Sequence, residues 1–198
     1  MRAQELLAGL VASLVASLVV GWAACDTELP PIDGGLVDAA PVAQGSPARG
    51  DLVINEVSPR SPDGPDWIEL LNRSSQPVDL CGFFVTDDLD RLDHYVSLGG
   101  VLPPSPCPPV LLDAGAYLVI VADDDVAAGP DHAPFKLGED DSVYVVDMGG
   151  LATDSFLYLY PRGHDNLTLA RIPDGEGLFF LVEPTRGQAN PPTPEDLP

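Results

Sequence analysis

The chain has 198 residues, 31 of them acidic and 9 basic, so its formal net charge at pH 7 is -22. A field of this sign repels phosphate backbones and anionic lipid surfaces, which excludes nucleic acid as a partner. The 22 prolines and 19 glycines, beside 45% hydrophobic residues, favour many short strands joined by turns over long helices.

The N-terminal residues 1–24 are typical of a secretory signal peptide, because one basic residue, Arg2, precedes a nearly unbroken apolar run. The small pair Ala23-Ala24 before Cys25 resembles the lipobox of bacterial lipoproteins, in which cleavage leaves a lipid-bearing cysteine at the N-terminus. A lipid on Cys25 would anchor the chain to a membrane, on its periplasmic or cell-surface side. Ordinary cleavage and an uncleaved anchor stay open, since about 19 apolar residues are just enough to span a bilayer. All three readings export the rest of the chain.

Residues 25–50 contain four prolines and four glycines, no aromatic residue and no sustained periodicity. We therefore predict a disordered linker, which would reach on the order of 25 to 30 Å. The last residues, 192–198, are predicted to be a disordered tail. The remaining stretch of about 140 residues is enough for one domain with its own core.

The predicted domain consists of short apolar runs between turn residues, at the spacing typical of a β-sandwich. In the run 67–71, Trp67, Glu69 and Leu71 fall on one face and Ile68 and Leu70 on the other, as in an inner strand. We interpret Glu69 as a carboxylate hydrogen-bonded to backbone or a nearby hydroxyl at the sheet margin. The predicted strands are 52–58, 67–71, 77–86, 95–98, 116–122, 142–147, 157–160, 167–172 and 178–182.

Several of these segments, taken in order, resemble the lamin tail domain family. The segments are Ile54-Asn55-Glu56, Asp66-Trp67-Ile68-Glu69-Leu70, Val78-Asp79-Leu80-Cys81-Gly82-Phe83, Ala114 to Ile120, Asp141 to Val145, Ala170 to Gly175 and Pro184 to Asn190. The resemblance implies an immunoglobulin-like β-sandwich, which we expect over residues 51–191. Arg186 departs from the family pattern, which tends to have proline there, and the proline-rich stretch 103–109 interrupts the middle.

Three cysteines fit an exported chain. With Cys25 assigned to the lipid, Cys81 and Cys107 remain as an even pair in an oxidising compartment. We predict a disulfide between them. Two buried free thiols, or a bridge between molecules, stay open.

Acidic clusters lie in two predicted loops and supply the oxygen ligands that calcium prefers. The first contains Asp87, Asp88 and Asp90, and the second contains Asp123, Asp124 and Asp125. Neither has the spacing of a specific calcium loop, so we interpret them mainly as solvated loop acids, with weak calcium binding as the alternative. We predict no other metal and no cofactor.

No established catalytic motif is present in the sequence, and the three histidines lie far apart in it. The chain is therefore predicted to be a non-catalytic, membrane-anchored interaction or structural module of the bacterial cell envelope, with an unidentified protein or polysaccharide partner. One alternative is a calcium-dependent adhesion or carbohydrate-binding module. A weaker one is a hydrolase that uses Asp131 with His132, or Glu69 converging with His94 and His164 in an open cleft.

Overall fold

The computed structural model describes residues 50–61, 64–101 and 106–192. The predicted signal peptide, Cys25, almost all of the predicted linker and residues 193–198 of the predicted tail lie outside these ranges. None of the helical elements within the described ranges is long and apolar enough to cross a membrane.

The described residues form twelve strands and one 3₁₀ turn, Leu92–His94. The strands are β1 (Leu52–Ser58), β2 (Asp66–Asn72), β3 (Val78–Asp79), β4 (Phe83–Thr86), β5 (Val96–Ser97), β6 (Leu111–Leu112), β7 (Tyr117–Ala122), β8 (His132–Ala133), β9 (Asp140–Asp147), β10 (Ala152–Leu159), β11 (Thr168–Ile172) and β12 (Leu178–Val182).

Two antiparallel sheets pack face to face, which confirms the predicted immunoglobulin-like β-sandwich. The larger sheet has the order β12-β11-β1-β2-β7-β8, and only its β7–β8 pair is parallel. The smaller sheet has the order β10-β9-β4-β5, and β3 and β6 form a separate pair. One apolar core lies between the sheets, since its buried side chains come from β1, β2 and β7 on one side and from β4 and β9 on the other.

A bulge in β1 decides which side chains reach this core. Ile54 pairs with Leu70 and Glu56 with Glu69, so Asn55 is the extra residue. Without the bulge, alternation would place Glu56 on the same face as Ile54, in the apolar core. With it, Ile54 and Val57 both pack into the core while Glu56 is turned to the outer face of the larger sheet, beside Glu69.

Arg171 of β11 joins the two sheets along one side of the sandwich. Its guanidinium donates to the backbone oxygen of Ile54 over 2.6 Å and to both carboxylate oxygens of Asp154 on β10. Asp154 in turn accepts a 2.8 Å bond from the Ile54 N–H. The Arg171 guanidinium also lies 4.5 Å from the ring centroid of Phe179, which stacks on Phe156 of β10.

The strand predictions for β1 and β12 match the structure, but β10 begins at Ala152 and not at residue 157. Its first half contains Thr153, Asp154 and Ser155, which lack an apolar alternation. These residues are extended because they pair with β9 and because Asp154 binds Arg171, and both interactions are tertiary. The two-residue strands β6 and β8 were also not predicted, and the predicted run 77–86 divides into β3 and β4.

Candidate functional site

Three carboxylates, those of Glu56, Glu69 and Asp174, form a cluster on the outer face of the larger sheet, and Asp174 is its half-buried member. The bulge in β1 places Glu56 opposite Glu69 of β2, and both residues have no exposed surface. Asn55, the bulged residue, links the other two members, because its Nδ2 donates to Glu69 Oε1 over 2.9 Å and to Asp174 Oδ1 over 2.8 Å. Asp174 belongs to the turn between β11 and β12.

The cluster binds the chain segment 183–190, which we call the C-terminal strap. Glu69 Oε2 accepts the N–H of Gly187 over 2.5 Å, and Glu56 Oε1 accepts the N–H of Thr185 over 3.0 Å. Asn190 donates its backbone N–H to Asp174 Oδ1 and its side-chain amide to the backbone oxygen of Asn55. The carboxylates therefore hold the strap against the sheet, so their hydrogen-bonding capacity is used within the fold.

Burial raises the pKa of Glu69 to about 7 and also raises the pKa of Glu56. The hydrogen bonds to both groups oppose this increase, while the neighbouring Asp174 carboxylate adds to it. Among the described residues, no basic side chain forms an ion pair with any of the three carboxylates. The described residues therefore supply no positive charge in contact with the cluster that would lower the pKa of these carboxylates.

The hydrogen-bond geometry around Glu56 favours the protonated form of its carboxyl. The hydroxyl of Thr185 lies 2.7 Å from Glu56 Oε2 and 2.7 Å from Asn190 Oδ1, and it has one proton to donate to these two acceptors. A protonated Glu56 resolves this, since its O–H donates to the Thr185 hydroxyl, which then donates to Asn190. The hydroxyl of Thr168 donates to Glu56 Oε1 over 2.5 Å.

Glu69 is hydrogen-bonded to backbone, as the sequence predicted, but its second partner is an amide and not a hydroxyl. The predicted position at the sheet margin was wrong, because β2 lies inside the larger sheet between β1 and β7. The carboxylate is inaccessible to a substrate. Glu69 is buried because the strap binds it on the outer face of the sheet. The alternation along β2 alone does not reveal this contact.

The residues of the hydrolase alternative do not meet in a cleft. Glu69 binds Asn55 and Gly187, whereas His94 Nδ1 pairs with Asp87 over 2.6 Å. His164 lies in the exposed loop after β10, where its backbone oxygen accepts the Tyr160 hydroxyl.

The predicted Asp131–His132 pair was also wrong. His132 Nδ1 instead pairs over 2.8 Å with Asp123, nine residues earlier. His132 belongs to β8, which runs parallel to β7, and Asp123 directly follows β7. The strand pairing therefore brings these two residues together.

The two acidic loops, 87–95 and 123–134, meet at one surface and enclose an open groove of about 400 Å³, which we call the loop groove. Its lining is mainly apolar. The apolar side chains are those of Leu92, Tyr95, Val96, Val126, Pro130 and Pro134, and Asp93, Ser97 and His132 add polar groups. Leu92 is 82% exposed and Val126 is 61% exposed. Each loop is fixed by an aspartate–histidine pair, Asp87–His94 in one and Asp123–His132 in the other.

A polar depression of about 530 Å³ adjoins the loop groove, and Asp93 and Pro134 line both. Its charged members are Asp87, Arg91, Asp93, Asp124 and Lys136, beside His94. The surface therefore offers an apolar half and a half with charges of both signs, which suits the binding of a partner better than bond-breaking chemistry.

The carboxylates of three of the six predicted calcium residues, Asp87, Asp88 and Asp123, take part in local hydrogen bonds. Asp87 and Asp123 bind histidines, Asp88 Oδ1 accepts the N–H of Asp90 over 2.9 Å, and Asp123 Oδ1 accepts the N–H of Asp125 over 3.1 Å. Within the described ranges, no three His, Cys, Asp or Glu side chains are grouped so as to hold a metal ion. Calcium binding at these loops stays an untested prediction.

Cys81 and Cys107 form a disulfide, as predicted, with their Cα atoms 5.9 Å apart. The bridge ties the segment after β3 to the proline-rich stretch before β6. Gly99 lies close to both half-cystines, since a Cβ there would approach the Cys107 sulfur to 2.8 Å. The bridge therefore packs tightly against the chain after β5.

Sequence reasoning missed the roles of Asn55, Glu56 and Asp174, and also the loop groove. Glu56 gave one signal, a charged residue inside an otherwise apolar strand pattern. The groove gave none, because Leu92 and Val126 are single apolar residues in loops that are 34 residues apart in sequence.

The comparisons with known proteins agree with this architecture. The family model described as Lamin Tail Domain matches residues 45–165, which is more than half of the chain. No curated protein matches the chain. The fold continues beyond the matched region, because β11 pairs with β1 inside the larger sheet and the strap is bound to β2. The chain belongs to the lamin tail domain family.

Proposed function

We propose that this protein is a non-catalytic interaction module, exported and held to a bacterial membrane by a lipid on Cys25. In this organisation residues 1–24 are the signal peptide, 25–50 the linker, 51–191 the binding domain and 192–198 a tail. The linker would let the domain reach partners on the order of 25 to 30 Å from the bilayer.

The observation that supports a binding role is the loop groove. The buried carboxylates of Glu56 and Glu69 are engaged in holding the strap, whereas the groove leaves large apolar side chains open to solvent. Exposed apolar surface flanked by polar groups is typical of protein-interaction sites. The lamin tail family supports the same conclusion, because its immunoglobulin-like domain has no catalytic machinery of its own.

The anchor is tested by intact mass and detergent partitioning of protein purified from bacterial membranes. We expect a chain that starts at Cys25 with added acyl mass, and loss of partitioning in the Cys25→Ala variant. The matched control is Asp26→Ala, which alters the next residue and keeps the cysteine. A soluble chain without acyl mass would contradict the anchor and leave the binding role of the domain to be tested by itself.

The groove is tested by placing a photo-crosslinking amino acid at position 92 in cells that export the full chain. We expect one discrete adduct with an envelope protein or polysaccharide, identified by mass spectrometry. The control is the same amino acid at position 178, because Leu178 is 73% exposed and lies on β12, away from the groove. Equal adducts from both positions would count against the groove.

The two acidic loops keep the calcium-dependent adhesion module as a second candidate. Its specific support is that loops 87–95 and 123–134 line one surface, with Asp87, Asp93 and Asp124 around the same depression. Calorimetric titration with millimolar calcium, together with a melting curve, decides it. No heat and no shift in melting temperature would remove this candidate.

A further inference from the structure

The strap is held to the larger sheet mainly by polar contacts. The backbone N–H groups of Thr185, Gly187 and Asn190 each donate to one carboxylate of the cluster. Within the described part of the chain, no side chain of the strap belongs to either apolar core. Its other contact with the sheet face is the guanidinium of Arg186, 5.6 Å from the ring centroid of Trp67. Closure of the strap therefore depends on the state of the carboxylates.

Glu56 is the carboxylate whose bonds to the strap change with protonation. Its Oε1 accepts the Thr168 hydroxyl over 2.5 Å and the Thr185 N–H over 3.0 Å, and both bonds form with or without a proton on Oε2. The Thr185 hydroxyl lies 2.7 Å from Oε2 and 2.7 Å from Asn190 Oδ1. Its single proton satisfies both contacts only when Oε2 supplies a second one. Ionised Glu56 leaves two of these oxygens facing each other without a proton.

The amide of Asn190 is held in an orientation that keeps its oxygen toward Thr185. Its Nδ2 donates to the backbone oxygen of Asn55 over 3.3 Å and to that of Arg171 over 3.0 Å. A flipped amide would set its own oxygen against these two backbone oxygens, which cannot donate. Asn190 is 4% exposed, so the side chain is enclosed. Rotation of this amide therefore does not relieve the conflict that ionised Glu56 creates.

The surroundings of Glu56 disfavour its charge while the strap is closed. Burial raises the pKa of Glu56, the hydrogen bonds from two threonines oppose the increase, and the Asp174 carboxylate adds to it. Glu69, the cross-strand partner of Glu56, is a second carboxyl on the same face. The other charged or titratable groups around the cluster are Tyr117 of β7, Arg171 of β11, Arg73 after β2, and Glu183 and Arg186 of the strap. In the described ranges none of these arginines is ion-paired with the cluster.

We propose that the proton on Glu56 is a latch, which keeps the strap closed while it is bound and lets the strap open when it is lost. Opening admits water to the carboxylate, so the open state binds the proton more weakly than the closed state. The closed state is therefore favoured at low pH, and the ratio of open to closed strap rises by up to about tenfold per pH unit as the proton is lost. The rise begins above the ordinary glutamate pKa of about 4.3.

The open state uncovers the outer face of β1 and β2, with Trp67 and the carboxylates. The latch thus makes access to this face depend on the pH around the domain. It does not rest on the proposed function, since it follows from contacts inside the domain.

The experiment is hydrogen exchange of the full chain from pH 5 to pH 8, with labelling times scaled to the intrinsic exchange rate at each pH. We expect the protection factors of the strap amides, at Thr185, Gly187 and Asn190, to fall at least about tenfold over this range. They should also stay well below those of β7 at every pH, because β7 lies inside the sheet and the strap opens without it. Strap amides as protected as β7, or protection independent of pH, would overturn the latch.

The variant Glu56→Gln imitates the protonated carboxyl. Its amide N–H donates to the Thr185 hydroxyl, while its oxygen keeps the Thr168 and Thr185 N–H contacts and cannot ionise. At pH 8 its strap amides should be protected at least about tenfold more than in the wild type. The matched control is Glu183→Gln, which removes the charge of an exposed acid in the same strap and should keep the wild-type pH dependence.

Protection of β7 in each variant checks that the sheet stays folded. If Glu56→Gln does not fold, the wild-type series alone still decides between the latch and a strap that opens only with the whole domain. A folded Glu56→Gln with the wild-type pH dependence, or Glu183→Gln with an equal gain in protection at pH 8, would contradict the role of the Glu56 proton.

Discussion

Glu69 accepts, through Oε2, a 2.5 Å hydrogen bond from the backbone N–H of Gly187, although 118 residues separate the two in the chain. This bond ties the strap to an inner strand of the larger sheet. Beside it, the guanidinium of Arg186 lies 5.6 Å from the ring centroid of Trp67. The strap thus helps to bury Trp67 and Glu69, which face away from the core.

We expect Glu69→Ala to lower the free energy of unfolding by about 2 to 3 kcal/mol, because it leaves the Gly187 N–H without its partner and opens a cavity. Urea denaturation measures this change. Limited trypsin digestion should also cut faster after Arg186 in the variant, since the strap is released. The control Glu183→Ala alters an exposed acid of the same strap and should change stability by less than about 0.5 kcal/mol.

Stability should fall as pH rises from about 5 to about 7. The folded-state pKa of Glu69 is about 7 and that of Asp66 about 6, both above their unfolded values near 4. Between these values the folded state keeps a proton that the unfolded state has lost, so raising the pH favours unfolding. The contribution of Glu69 is complete below pH of about 4 and is lost by pH of about 7, a change of about 1 to 3 kcal/mol.

The measurement is urea unfolding at intervals from pH 5 to pH 8, which stays above the isoelectric point near 4.1. Glu69→Gln should reduce the slope in this window, because the amide cannot titrate. Repulsion among exposed acids also makes the free energy of unfolding fall as pH rises. The Glu183→Gln variant measures how much one exposed acid contributes to that fall. An unchanged slope in Glu69→Gln would show that this carboxyl is ionised throughout the window.

Arg171→Lys should destabilise the domain by about 1 to 3 kcal/mol. The guanidinium binds the Ile54 oxygen and both oxygens of Asp154 at once, and an ammonium cannot reproduce that planar fork. Thermal unfolding at fixed pH measures the loss. Arg162→Lys is the matched control, since the Arg162 side chain is 89% exposed, and it should leave the melting temperature unchanged.

Reduction of the Cys81–Cys107 disulfide should lower stability by about 3 to 4 kcal/mol, the loop-closure value for a sequence separation of 26 residues. Urea unfolding with and without a reductant tests this. The double variant Cys81→Ala/Cys107→Ala should be as unstable as the reduced protein and insensitive to reductant. Equal stability of the oxidised and reduced wild type would contradict the expected contribution of the bridge.

Local pattern was enough to predict most of the β-sandwich. The apolar runs of β1, β7 and β12 are dense in Val, Ile, Leu and Phe, and each lies where the sequence placed a strand. β8 could not be predicted this way, because its two residues, His132 and Ala133, have no strand pattern and are extended through pairing with β7. The first half of β10 is similar, since it depends on β9 and on Arg171.

The site was less predictable than the fold for a related reason. The role of Glu56 depends on the bulge at Asn55. The bulge moves the Glu56 side chain from the core face of the sheet to its outer face. The role of Asp174 depends on Asn190 and Tyr117, which come from the far end of the chain and from another strand. Such contacts are set by the tertiary arrangement, and periodicity along one segment contains no information about them.

The strap also sets when the domain can finish folding. β1 is the first strand of the described chain, yet one of its two neighbours is β11, and the carboxyl of Glu56 binds Thr168 and Thr185. A chain that emerges N-terminus first therefore presents an incomplete sheet until residues near Asn190 have appeared. Completion is therefore a late event, and a chain that ended before the strap would leave Glu69 and Trp67 open to solvent.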